Sequence, residues 1–120
     1  MRVDVLTQIL EELNTASIDI EASAVVSTDG LMMAALLPPS MDEDRVGAMS
    51  AALLALGDRT ARELGRGGQE QVLIKAAHGY ILMMHAGKDA VLTVLAKPQA
   101  RLGLIFLDVK RAADAVGKLL

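Results

Sequence analysis

The chain has two imidazoles, His78 and His85, and no cysteine. A protein zinc site needs three or four nitrogen, sulfur or carboxylate ligands in one geometry, and no third ligand is spaced to join these two. His78 stands beside Gly79 in a turn, and His85 closes a strand-like run, where it reads as a half-buried strand residue. Ser27, Thr28 and Asp29 are residue types of hydrolytic chemistry, but no general base is spaced to activate a hydroxyl. Thr28-Asp29 before Gly30 reads better as turn chemistry. Asp42-Glu43-Asp44 is acidic without a metal-loop pattern, and Gly65-Arg66-Gly67-Gly68 leaves a helix instead of opening one, so it reads as a C-cap and loop, not a phosphate cradle. No G-x-x-x-x-G-K-[ST] run is present, which excludes a P-loop. Arg59 and Arg62 bear on phosphoryl transfer, because an arginine supplied in trans stabilises its transition state. With Asp58 and Glu63 beside them they read first as solvated helix-end charges. The chain is therefore expected to be no enzyme and to hold no metal or cofactor.

These residues need elements to carry them. Val3, Leu6, Ile9, Leu10 and Leu13 recur at helical spacing, which predicts a first amphipathic helix ending near Asn14. Ala22–Ser27 and Leu31–Leu37 flank Asp29-Gly30, a strong hairpin signal because glycine supplies the positive φ that such a turn requires. Pro38-Pro39 stops the second strand. Ser40 is the expected N-cap of a long helix to about Leu64, with Glu43 completing a capping box. Gln71–Ala76, Tyr80–Ala86 and Ala90–Lys97 are separated by short glycine-containing turns and predict an antiparallel meander. Leu102, Ile105, Phe106, Val109, Ala112, Ala113, Val116 and Leu120 predict a terminal amphipathic helix. The fold class expected is α+β: a five-stranded antiparallel sheet with three helices, in the order αββαβββα. The strands do not alternate apolar with polar, so both faces need cover, and helices are expected on both.

Composition bounds the function. The 120 residues favour one domain, 1–120. Fifteen acids against twelve bases give a net charge of −3, which does not suit a nucleic-acid binder, whose affinity rests on Lys and Arg at phosphates. No basic amphipathic segment, signal-peptide pattern or run of about 18 apolar residues appears. Neither membrane insertion nor export is expected, and the cytoplasm is the expected location.

The long helix has two apolar sides. Val46, Met49, Leu53, Leu56 and Leu64 share one face and read as the sheet-packing stripe. The opposite side carries Ala48, Ala51, Ala52 and Ala55, and charge returns only at Asp58, Arg59, Arg62 and Glu63. A helix that is apolar nearly all round is buried nearly all round. The alanines read either as good helix formers on a solvated face or, more sharply, as a self-association face on which two copies related by a two-fold axis would be complementary.

The AVVSTDGLMMAALL hairpin of Ala24–Leu37, the alanine-rich segment Val46–Leu56 and the strand Tyr80–Met84 resemble the roadblock family. That family includes the dynein roadblock light chains and bacterial MglB-type proteins, and it is related in outline to profilin-like sheets. The resemblance spans essentially the whole chain. It implies strand order 2-1-5-4-3 and a homodimer in which the long helices pack together and the third strands pair edge to edge. The dimer interface so implied comprises Ala48, Ala51, Ala52 and Ala55 with Gln71, Leu73 and Lys75. One sheet face would be covered by the first and last helices and the other by the central helix. The resemblance further implies a non-enzymatic platform that binds and regulates a small Ras-like GTPase, with Asp58, Arg59 and Arg62 as candidate partner contacts and stimulated GTP hydrolysis as one form of that regulation. The longer MglB-type chains continue past the position of Leu120. The alternative is a structural subunit of a motor or signalling complex, indifferent to nucleotide.

Overall fold

The computed structural model describes residues 2–120. Its elements are α1 (Arg2–Ala16), β1 (Ile20–Ser27), β2 (Met32–Leu36), α2 (Glu43–Glu63), β3 (Val72–Ala76), β4 (Gly79–His85), β5 (Ala90–Ala96) and α3 (Leu102–Leu119). The five strands form one antiparallel sheet in the order β2-β1-β5-β4-β3. The αββαβββα order, the α+β class and the strand order are as expected. The bounds move by up to two residues: α1 runs to Ala16 and not Asn14, and β1 begins at Ile20 and not Ala22.

The hairpin turn closes as its residues dictate. Gly30 takes φ 91°, Ser27 donates its N–H to Leu31 O at 2.8 Å, and the Ser27 hydroxyl accepts the Leu31 N–H at 3.0 Å. Ser27 is thus spent on the turn. At the start of α2 the expected N-cap is corrected. Met41 N–H bonds back to Pro38 O, so Pro38–Met41 form a turn and Ser40 lies outside the helix. Asp42 caps instead, its carboxylate accepting the N–H groups of Asp44 at 2.9 Å and Arg45 at 3.3 Å. An N-cap carboxylate also suits the positive end of the helix dipole.

Register assigns the faces. Leu82, Met84, Leu92 and Val94 meet Leu6 and Leu10 of α1 and Ile105, Val109 and Val116 of α3 in one dry cluster. The other face holds Met83 and Val91 against Leu54 of α2, with Leu53, Val72 and Ile81 packed around them. Helices therefore lie on both faces, and the second cluster is much the smaller.

Two stripes need correction. Val3 was expected on the α1 core face but is 57% exposed. More consequentially, α2 seats only in part through the expected stripe: Val46 and Leu53 are half-buried, Leu53 packing on the smaller cluster, but Met49, Leu56 and Leu64 do not face the sheet. Its buried residues are Gly47, Ser50 and Leu54, while Met49, Leu56 and Leu64 are 56%, 59% and 70% exposed. The cause is close approach. A β-carbon on Gly47 would stand 2.6 Å from the carbonyl oxygen of Gly30, so α2 lies on the hairpin tip at a distance only small side chains permit.

Asp19 ties the start of β1 to the start of α3. Its carboxylate accepts both the backbone N–H and the guanidinium Nε–H of Arg101, each at 3.1 Å. The Arg101 backbone N–H, then the Arg101 side chain, hold the Asp19 carboxyl below its ordinary range. A depressed folded-state pKa adds stability above the unfolded-state value of about 4, and that contribution is lost as pH falls through the folded value. Denaturant midpoints followed from pH 5 down to pH 2 will therefore fall less steeply for Asp19→Asn than for the parent.

Candidate protein-interaction site

Two features of the α2 face stand without cover in a single chain. The first is the edge strand β3, whose outer side pairs with no strand among the described residues. Val72 and Ile74 point to the α2 face with Met83 and Ile81, whereas Leu73 and Lys75 pair with Leu82 and Tyr80 on the opposite face. Gln71 precedes the strand and is exposed, as is Lys75; Leu73 is 39% exposed. The second is the side of α2 that looks toward this edge. Because α2 packs on β1, β2, β5 and β4, it leaves beside it an open apolar groove of about 450 Å³. Val46, Met49 and Leu53 form one wall, and Ile74 and Ile81 the other. Farther along the helix, Leu53, Leu56, Thr60 and Leu64 face Gln69, Gln71 and Val72, the segment that leads into β3.

The alanines lie elsewhere. Ala48, Ala52 and Ala55 are exposed and Ala51 is half-buried. A β-carbon on Gly30 would sit 3.5 Å from Ala48 Cα and 3.8 Å from Ala51 Cβ, which places this side of the helix at the β1–β2 turn. The structure thus separates the two groups that the sequence reading joined in one interface. The large side chains Met49, Leu53 and Leu56 border the β3 edge, and the alanine ridge does not. Their signal was present in the sequence, but it was read as core packing.

The candidate partner contacts also divide. Asp58 turns inward: its carboxylate lies 3.0 Å from His85 Nε2 on β4, and it accepts from Gln69 Nε2 at 3.4 Å. Gln69 also donates to Leu54 O at 3.3 Å. Asp58, His85 and Gln69 tie α2, β4 and the β3 lead-in together, and His85 is the half-buried strand residue expected. Arg59 pairs with Glu63 one turn on at 3.0 Å, both largely solvated. Such a pair contributes little to stability. Arg62 is exposed. Among the described residues no group of three or more His, Cys, Asp or Glu is placed to hold a metal, and no helix is long and apolar enough to cross a membrane.

This arrangement has known counterparts. Solved structures of similar fold include MglB of Myxococcus xanthus, at a TM-score of 0.89 and 19% identity over 98% of this chain and 88% of that one. They also include profilin of Acanthamoeba castellanii, at 0.66 and 11% over 93% and 96%. An uncharacterized protein of Methanocaldococcus jannaschii, MJ0310, is 43% identical over 111 residues, which is 92% of this chain and 96% of that protein. Residues 6–96 match the model of the Roadblock/LC7 domain. That span runs from the first buried leucine of α1 to the last residue of β5, the whole scaffold that sets the β3 edge beside α2, and the chain belongs to the Roadblock/LC7 domain family.

Proposed function

We propose that the protein is a non-enzymatic, cytoplasmic, single-domain platform that associates as a homodimer and in that form binds and regulates a small Ras-like GTPase. One observation carries the reading: the edge strand β3, unpaired on its outer side among the described residues, lies beside a helix side whose large apolar residues Met49 and Leu56 are left exposed by the single chain, with Leu53 half-buried between them. A second copy turned about a two-fold axis beside β3 would pair edge with edge and bring a second α2 along those residues. It would satisfy the strand's free N–H and C=O groups and remove apolar surface from water in one contact. The alanine ridge of Ala48, Ala52 and Ala55, with Arg59 and Arg62 at its end, would then face outward on both helices, as a flat surface for the partner. The likeness to MglB-type proteins supports a GTPase as that partner.

The test is capture. Immobilised protein is presented with small GTPases of the source organism, each loaded with a non-hydrolysable GTP analogue or with GDP. Retention of one GTPase in its GTP form alone is the expected result, followed by a hydrolysis assay on the pair. Retention independent of nucleotide, or none, would sink the GTPase reading and favour a structural subunit.

A further inference from the structure

On the face of the sheet opposite α2, α1 packs on β1 and β2, and α3 packs on β5 and β4. On that face β3 presents Leu73, which is 39% exposed, and the exposed Lys75. The flank of α3 turned toward β3 carries the half-buried Phe106, the 56% exposed Leu107 and, one turn on, Lys110. With the β3 lead-in these α3 residues line an open groove of about 550 Å³. Charge at one end of this region is one-sided. Lys75 pairs with Tyr80, and Tyr80 with Ala96, the last residue of β5, so Lys75 stands at the end of the sheet where the chain leaves for α3. Lys75 enters no ion pair among the described residues. α3 has no acid in its first turn, and the nearby Asp19 is spent on Arg101. The positive end of a helix dipole also favours an anion. Glu70 lies beyond the opposite end of β3.

We propose that this face of the homodimer is a trough that seats one amphipathic α-helix of a partner protein, apolar on one stripe and acidic beside it; the trough exists only in the edge-to-edge dimer of the platform reading. A two-fold axis beside β3 sets β3 and its symmetry mate together as the floor, with one α3 on each side. Each α3 lies over β4 and β5, two strand spacings from the axis, so the two helices stand about four spacings apart, roughly 19 Å. A helix packed between two others needs two interaxial distances of about 8–10 Å, roughly 16–20 Å in all. The trough is one helix wide. Leu73, Phe106 and Leu107 of both copies would take the apolar stripe. The dimer also brings both Lys75 side chains onto one floor, and carboxylates of the incoming helix would offset their repulsion. A helix lying across a two-fold axis excludes its own symmetry mate, so one helix binds per dimer. The alanine ridge is on the opposite face, so a GTPase there and a helix here would not compete.

The test is selection from a displayed library of helical peptides. Each is as long as α3, 18 residues, with leucine at alternating third and fourth positions and Glu, Lys, Gln or Ala elsewhere. The full chain is expected to retain glutamate-rich peptides, with an affinity that falls as salt rises. Calorimetric titration of a retained peptide should give one per dimer. Leu107→Glu changes an exposed side chain and should leave folding and the dimer intact. It is expected to weaken the peptide by at least about tenfold, because it removes an apolar wall and adds a like charge. Retention of lysine-rich peptides, or of none, would overturn the proposal. So would two peptides per dimer, which would give each half-groove its own helix, or equal affinity in Leu107→Glu, which would place the peptide elsewhere. Sedimentation equilibrium without peptide separates the two readings. A monomer removes the dimer and the trough with it, whereas a dimer that takes no acidic helix overturns the trough alone.

Discussion

Leu56→Glu is expected to turn the protein into monomers at micromolar concentration, while Ala55→Glu, one residue away, leaves association intact. Leu56 is 59% exposed and borders the β3 lead-in at Gln71 and Val72. Its neighbour Ala55 lies about 100° around the helix, on the ridge that carries Ala48 beside the hairpin tip. In the proposed dimer each copy would lose the burial of a leucine, about 1.5–3 kcal/mol, and would bring a carboxylate toward its symmetry mate in a drying contact. Together these weaken association by about 4 kcal/mol or more, roughly a thousandfold. Sedimentation equilibrium over a range of concentrations reads this directly. The reverse pattern, with Ala55→Glu dissociating and Leu56→Glu not, would assign self-association to the alanine ridge. Both variants keep the buried residues Gly47, Ser50 and Leu54, so a loss of association would not reflect unfolding, and circular dichroism checks that.

The second large effect concerns the seat of α2. Gly47→Ala is expected to destabilise the fold by about 2–3 kcal/mol. Thermal unfolding should then fall by roughly 10 °C. The added methyl would stand 2.6 Å from Gly30 O and 3.5 Å from Gly30 C. That neighbour is backbone and cannot yield as a flexible side chain would, so the helix must lift from the hairpin. Gly103→Ala is the matched control. No atom lies within 4 Å of a β-carbon placed there, and alanine is the better helix former, so a small gain is expected. A Gly47→Ala protein as stable as the parent would mean that α2 does not rest on the hairpin in this way.

Much of this architecture was legible because short-range chemistry dictates it. Asp29-Gly30 between apolar runs specified the hairpin, Pro38-Pro39 its end, and the glycine-containing turns the meander. The apolar periodicity of Leu6, Leu10 and Leu13, and of Ile105, Val109 and Val116, specified the two helices that share one face. Where the reading failed, it failed on α2. An amphipathic pattern is read by giving the largest apolar side chains to the core, and here that rule selects Met49 and Leu56. The fully buried contact is instead centred on Gly47, Ser50 and Leu54, because the hairpin tip approaches Gly47 too closely for a larger residue there and that turns the helix.

The sequence by itself determined the elements, their order, the absence of a P-loop or cysteine chemistry, and the family resemblance, since each rests on residues near one another in the chain. Only the tertiary structure decided which side of α2 meets the sheet and which residues flank the open β3 edge. It also turned Asp58 inward to His85, 27 residues along the chain, and joined Ser50 to Thr93, 43 residues apart. Those outcomes depend on the distance between helix and sheet. That distance is set where the backbones of Gly30 and Gly47 touch, and no local pattern encodes it.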